Sequence, residues 1–178
     1  VNTAASFVDQ RIKFQNFGHS NYKSREVSKA FNNLDAAKVI QVIYPCTNVE
    51  PPILPDYKKS PRLQFLDTGI LNFDLNIQAD LLLMKDLSEA YKGAIIPHII
   101  NQEVLSLNTT DYKKTYFWVR DKTQSSAEVD LLIAHGKFLI PIEIKSGKTG
   151  SLKSLHQFVN QAPHQFAVRM YGGKFNIE

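Results

Sequence analysis

Apolar and polar positions change their spacing several times along the chain, and each change marks an element. After Ser24, the residues Val27, Ala30, Phe31 and Leu34 recur at helical intervals while Arg25, Glu26, Lys29 and Asn33 fall on the other side. That pattern predicts an amphipathic helix over residues 25–37 with Ser24 as its N-cap. Residues 39–44 are rich in β-branched side chains and predict a strand; residues 45–55 contain four prolines and read as a long turn; a second strand at 62–66 closes a hairpin around it. Ahead of these elements, residues 4–11 read as a short opening helix.

Beyond Asp67-Thr68-Gly69, a short apolar stretch (70–75) leads through a polar patch to a helix over residues 87–107. An aromatic run at 116–120 and alternating runs at 128–134 and 137–145 predict three strands, followed by helical spacing at 152–161 and a last strand at 165–170. The expected order is α-β-β-β-α-β, an α/β (α+β) domain over residues 67–178. Residues 1–66 form a smaller first part, in which helix, strand, long tip and strand follow one another as in a winged helix, a module whose second helix enters a DNA major groove. A plain packing module gives the same order.

Within the predicted strands, a few charged residues stand out. Side chains alternate between faces, so Ile140, Ile142 and Ile144 share one side while Pro141, Glu143 and Lys145 share the other. Likewise Val129, Leu131 and Ile133 are expected on one face, with Glu128 and Asp130 on the other. The short turn His135-Gly136-Lys137 makes the two runs an antiparallel hairpin that brings Asp130 almost opposite Glu143. Ionised groups in nearly apolar strands are costly unless paired or bound to metal. Two readings follow: a cross-strand ion pair, or a site in which Asp130, Glu143 and the main-chain carbonyl of Ile144 hold magnesium or manganese while Lys145 assists an attacking water or steadies charge on a phosphate.

Composition narrows the setting more than the chemistry. With 43% apolar residues, eleven Phe and seven Tyr the chain has the material for a core, and a single cysteine, Cys46, excludes an internal disulfide framework. No apolar run is long enough to cross a bilayer and no signal-peptide pattern opens the chain, so the expectation is a cytoplasmic protein without a membrane partner. Net charge is +4, which permits contact with DNA without demanding it. No glycine-rich phosphate loop of the G-x-x-x-x-G-K-[ST] type is present.

The segments Ser60-Pro61-Arg62-Leu63-Gln64-Phe65-Leu66-Asp67-Thr68-Gly69, Ala127-Glu128-Val129-Asp130 and Pro141-Ile142-Glu143-Ile144-Lys145-Ser146-Gly147 occur in this order. With the α-β-β-β-α-β arrangement they resemble the PD-(D/E)XK nuclease superfamily. More closely, they resemble the C-terminal domain of unknown function in a family of bacterial and archaeal AAA-type ATPases. Asn21-Tyr22-Lys23-Ser24-Arg25-Glu26-Val27 is similar to the winged-helix segment that precedes that domain. The resemblance implies a restriction-endonuclease-like core and a parent protein whose ATP-binding domain lies N-terminal to this fragment and which assembles into an oligomer. It also implies a metal site at Asp130 and Glu143 with Lys145 as the catalytic partner. One position departs from the pattern. Where the family's first helix opens G-x-x-x-E, this chain has Gly93-Ala94-Ile95-Ile96-Pro97, so Pro97 stands at the place of an acid.

Accessory residues are fewer. Glu103 is placed in the buried stripe formed by Ile96, Ile99, Ile100, Val104 and Leu107, with a metal role set against capping a strand or pairing with a lysine. Six helical residues turn it roughly 240° away from Pro97. Gln157 is a polar contact for the site or a solvated glutamine. The five histidines show no ligand spacing, and Cys46 has no role. Three functions remain: metal-dependent DNA cleavage, a non-catalytic docking or regulatory module of the ATPase, and DNA binding without hydrolysis through Arg25, Lys29 and the loop near Lys122.

Overall fold

The computed structural model describes residues 3–79, 95–107, 114–120, 127–145 and 150–177. Helix α1 spans Ser24–Ala36 and buries Val27 and Phe31, leaving Arg25, Glu26, Lys29 and Asn33 exposed as the spacing predicts. Ser24 is not its cap. The chain enters the helix one residue earlier, where the Glu26 carboxylate accepts the Lys23 N–H at 2.8 Å, closing the first turn from inside. At the other end Lys38 adopts φ +60, and its N–H and that of Val39 donate to the carbonyls of Asp35 and Leu34. This is the paired C-terminal closure in which glycine usually occupies the left-handed position.

Strands β1 (Ile40–Ile43) and β3 (Arg62–Phe65) form the expected hairpin, with Ile40 opposite Phe65 and Val42 opposite Leu63. The ribbon has two characters. Ile40, Val42, Leu63 and Phe65 pack with Val27 and Phe31 of α1 and with Ala4, Ala5, Val8 and Ile12, whereas Gln41, Arg62 and Gln64 fall on the opposite face by strand alternation. The opening helix is replaced by a single 3-10 turn, Ala5–Phe7. After it the chain passes alongside β3 through a turn at Asp9, bridging Val8 to Leu63 and Arg11 to Arg62, because burying Val8 and Ile12 against the ribbon satisfies both side chains and backbone.

The second sheet has five strands in the order β2-β4-β5-β6-β7, made of Pro45–Cys46, Tyr116–Val119, Glu128–His135, Phe138–Ile144 and Val168–Met170. Strands β4, β5 and β6 are antiparallel, and the two outer strands pair parallel to their neighbours. Helix α2 (Thr68–Asp74) starts where the Asp67 carboxylate accepts the Gly69 N–H. Helix α3 (Ile95–Ser106) packs Ile96, Ile100 and Val104 on Leu131, Ile142 and Ile144. Helix α4 (Lys153–Val159) packs Leu155 and Phe158 on Trp118, Val129, Leu132 and Leu139. The result is an α+β core with helix on both sides of a mixed sheet, and the order α3-β4-β5-β6-α4-β7 follows the sequence expectation. Residues 87–94 of the helix expected at 87–107, and the loop near Lys122, lie outside the described residues.

Packing runs across the expected division at 66/67. Pro45 and Cys46 pair with Phe117 and Trp118 in the five-stranded sheet, and Leu71 and Ile95 join the core under α1. Cys46, read from sequence as lying in a turn, is fully buried there, and burial pushes its thiol up to about 12. No helix among the described residues is long and apolar enough to cross a membrane.

Candidate functional site

Alternation along β5 is broken at the position that matters most. Tyr116 pairs with Leu132 and Trp118 with Val129, so Phe117 faces two residues, Asp130 and Leu131. This is a β-bulge, which inserts an extra residue and re-aims the side chains around it. Val129 therefore packs with Leu132 toward α4, while Leu131 and Ile133 pack toward α3. The expectation that Val129, Leu131 and Ile133 share one face is thus corrected.

The bulge brings Asp130 onto the end of β6. One of its oxygens, Oδ2, accepts the Ile144 N–H at 2.9 Å, and the other, Oδ1, lies 3.7 Å from Arg62 Nη2. Leu131 pairs with Ile142, so counting one residue outward sets Asp130 opposite Glu143. Lys145 donates to Glu143 Oε1 at 2.5 Å, which places acid and amine on one side of β6 as alternation requires. The second Glu143 oxygen, Oε2, is buried without a hydrogen-bond partner among the described residues. Burial raises the Glu143 carboxyl above its usual range and the nearby Asp130 charge adds to this, while the Lys145 hydrogen bond opposes it.

Arg62, expected only as a strand residue without a role, sits at the middle of this group. Only 7% exposed, it lies with its guanidinium 4.5 Å over the Phe117 ring. Its Nε donates to Glu128 Oε1 at 2.8 Å, its Nη2 meets the same oxygen, and its Nη1 lies 3.4 Å from Asp9 Oδ1 and donates to the Asp130 carbonyl at 3.4 Å. Burial by itself disfavours the guanidinium charge, but Asp9, Glu128 and Asp130 together hold its pKa above the usual value. Asp9 arrives from a turn in the N-terminal segment with φ +57 and also accepts from Gln64 Nε2 at 3.2 Å. Burial raises its carboxyl to about 6, against the opposing pull of Arg62 and Gln64.

Among the described residues the charges of the cluster do not balance. Four carboxylates (Asp9, Glu128, Asp130, Glu143) meet three cations, Arg62, Lys145 and Arg11, whose Nη1 is 3.9 Å from Glu128 Oε2. One acid is in excess. Asp9, the acid at about 6, is the one poised to take up a proton near neutrality.

Helix α3 contributes Pro97 and Asn101, which line a cavity of about 10 Å³ with Arg62, Gln64, Asp130 and Ile144. Glu103 is exposed and does not join the cluster, which corrects its placement in a buried stripe; Leu107, placed there too, is 79% exposed. The buried positions of α3 are Ile95, His98 and Asn101, because the helix is covered on two sides, by the ribbon and by the sheet. Gln157 on α4 accepts from Arg120 Nη1 at 3.2 Å. Among the histidines, His98 is buried, its pKa lowered to about 4 by burial and partly restored by the Phe65 backbone, and His164 Nε2 bonds the Leu139 carbonyl at 2.9 Å.

Residues 92–178 match the profile of a family described as a domain of unknown function, DUF4143. The DUF4143 segment takes in Pro97, Asn101, Asp130, Glu143, Ile144 and Lys145 and leaves Asp9 and Arg62 outside. No curated protein and no solved structure matches the chain.

A divalent ion at Asp130 and Glu143 would find one feature in its favour, the unpartnered Glu143 Oε2. The rest of the donor set does not fit. Asp130 is committed to the Ile144 N–H and faces Arg62, Glu143 Oε1 is taken by Lys145, and no group of three or more His, Cys, Asp or Glu among the described residues is arranged to hold a metal. As these side chains stand, cations of the chain itself, Arg62 and Lys145, lie against the two carboxylates.

Proposed function

We propose that residues 67–178 form a PD-(D/E)XK nuclease-like domain that serves an AAA-type ATPase as a non-hydrolytic docking or regulatory module, preceded by a winged-helix-like segment. The observation that carries this reading is the state of Asp130, whose two oxygens are spent on the Ile144 N–H and on Arg62. A carboxylate so engaged stabilises the open end of the β5–β6 hairpin, and its free oxygen faces a guanidinium of the chain itself. Pro97, beside that cavity where the related domains are expected to carry an acid, supports the same reading.

The competing reading is DNA cleavage with magnesium or manganese at Asp130, Glu143 and Lys145. It draws on Glu143 Oε2, a buried oxygen without a hydrogen bond, because such an atom ordinarily has a partner. Incubating the chain with supercoiled plasmid and manganese separates the two. The proposal expects no nicking, and it expects Asp130→Asn to lower the unfolding midpoint because a charge-assisted bond to Ile144 is weakened. Nicking that Asp130→Asn abolishes, with the variant fully folded, would establish cleavage instead. DNA retention that survives Asp130→Asn and is lost with Arg25→Ala and Lys29→Ala would favour the α1 face as a DNA contact.

A further inference from the structure

We infer that the cleft between α3, β6 and β7 seats an acidic segment of a partner protein, anchored by apolar side chains. The inference rests on the reading of the domain as a docking module and names the class of segment that would dock.

The cleft follows from the spacing of isoleucines. On α3, Ile96, Ile99 and Ile100 stand at i, i+3 and i+4 and share a face, and on β6 alternation sends Ile140, Ile142 and Ile144 to one side. β7 runs parallel to β6 with Val168 opposite Ile142 and Met170 opposite Ile144, which puts both on that same side. Yet β7 is three residues long and is the last strand of this sheet among the described residues, so its pairing stops short of Ile140. The α3 isoleucines, Ile140 and Met170 stay half-buried around a cavity of about 910 Å³, with residues 165–177 as its outer wall.

Two observations bear on what covers it. Phe166, Val168 and Tyr171 are exposed along that wall, and Phe175 and Ile177 are 90% and 82% exposed. A concentration of exposed apolar side chains of this kind marks a protein contact. A small molecule held inside the cleft would leave Phe175 and Ile177 in water, whereas a segment passing along the wall covers them.

Charge supplies the second observation. Lys145, Arg169 and Lys174 line the cleft, and no acidic residue does so among the described residues. Glu143, the acceptor of the Lys145 hydrogen bond, is buried and does not face the cleft. The Arg169 guanidinium lies 4.6 Å over the Tyr171 ring, so the wall presents aromatic and cationic surface together. A second copy seated cleft to cleft would set these cations against themselves, which is repulsive. Acidic side chains beside apolar anchors meet both features at once.

The test uses the whole 178-residue chain and two labelled synthetic peptides with leucines at helical spacing, one carrying glutamate and its twin lysine at the remaining positions. Fluorescence anisotropy should show the glutamate peptide bound about tenfold or more tightly than its twin. Val168→Asp in the cleft and Lys174→Glu on its rim should each weaken the glutamate peptide by about fivefold or more. Phe73→Ser, at an exposed apolar residue away from the cleft, should leave its binding unchanged. Lys174 is an exposed residue, so its variant gives a reading even where Val168→Asp fails to fold.

Absence of glutamate-peptide binding overturns the inference, as does equal affinity for the two peptides or an affinity that Lys174→Glu leaves intact. Dimerisation of the unaltered chain that either cleft variant abolishes assigns the cleft to a second copy and overturns it too. Displacement of the peptide by an equal concentration of dodecanoate assigns it to a small amphiphile, with the same result. Plasmid nicking with manganese is scored separately: nicking by the unaltered chain defeats the proposed function, whereas a glutamate peptide that does not bind defeats only this inference.

Discussion

Two clusters on the same sheet hold the molecule by opposite means. Around Trp118 the contacts are dry: Cys46, Val129, Leu132, Leu139, Leu155 and Phe158 close over the indole, which stands edge-on to Phe158 at 5.3 Å, and its N–H reaches the Thr47 carbonyl. Around Arg62 they are charged: among the described residues four acids meet three cations, the buried oxygens Glu143 Oε2, Gln64 Oε1 and Asn101 Oδ1 have no hydrogen-bond partner, and a cavity has room for about one water molecule. Dry packing is insensitive to pH and salt and depends on shape. A buried ion cluster contributes little net stability for the cost of its desolvation, yet losing one member is expensive. The difference teaches where function is to be sought, because only the second cluster changes character with protonation.

The largest effects come from removing the centre of each cluster. Trp118→Ala should cost about 3–5 kcal/mol at any pH. Arg62→Ala should cost a comparable amount, about 3–5 kcal/mol near neutrality, and the loss should shrink as pH falls and Asp9 and Glu143 take up protons. Denaturant unfolding of both variants at two pH values checks this; parallel pH profiles would mean that Arg62 is held by packing rather than by charge.

Next in size is a pair of opposed titrations. Asp9 keeps its proton to about pH 6 in the folded chain, against 3.8 ordinarily. As pH rises through that window the unfolded chain releases its proton first, so native stability falls and the penalty is complete above about 6. His98 runs the other way. Its folded value of about 4 lies below the ordinary 6.5, so stability is full above 6.5 and is lost as pH falls toward 4. Each amounts to about 3 kcal/mol, and in the unaltered chain they largely cancel between pH 4 and 6. Relative to the unaltered chain, Asp9→Asn should therefore gain stability on going from pH 4 to 7. His98→Asn should show the opposite trend. Flat differences for both would remove the buried-titration account.

The smallest effect belongs to the far end of the β5–β6 hairpin, where neither cluster reaches. Gly136 has φ +57 and open space where a Cβ would stand, so Gly136→Ala meets no neighbour and should cost only the left-handed backbone strain, about 1–2 kcal/mol. Thermal unfolding at two salt concentrations should give the same decrement, in contrast to Arg62→Ala.

Much of this was legible in the chain because it is local. Spacing of 3.6 and of 2 is a property of neighbouring residues, so α1, the β1–β3 hairpin, the order of elements from α3 to β7, and the shared face of Glu143 and Lys145 could be read before any fold was known. The glycine turn at 135–137 set the β5–β6 register and with it the approach of Asp130 to Glu143. Other features depend on which strand meets which. The bulge at Asp130–Leu131 exists because β4 pairs with β5 out of simple register, and alternation along β5 alone pointed Leu131 to the wrong neighbours. Glu103 looked buried on a one-sided stripe and is exposed, while the helix buries Ile95, His98 and Asn101 instead.

Arg62 marks the boundary between the two kinds of information. The sequence determined that it alternates with Leu63 and Phe65 and so leaves their core. Only the tertiary structure decided what it meets there, since Asp9, Glu128 and Asp130 lie 53, 66 and 68 residues away. A charge carries no local periodic signal of its partner: its energy depends on distance and burial in space, and those are set when the ribbon docks on the sheet.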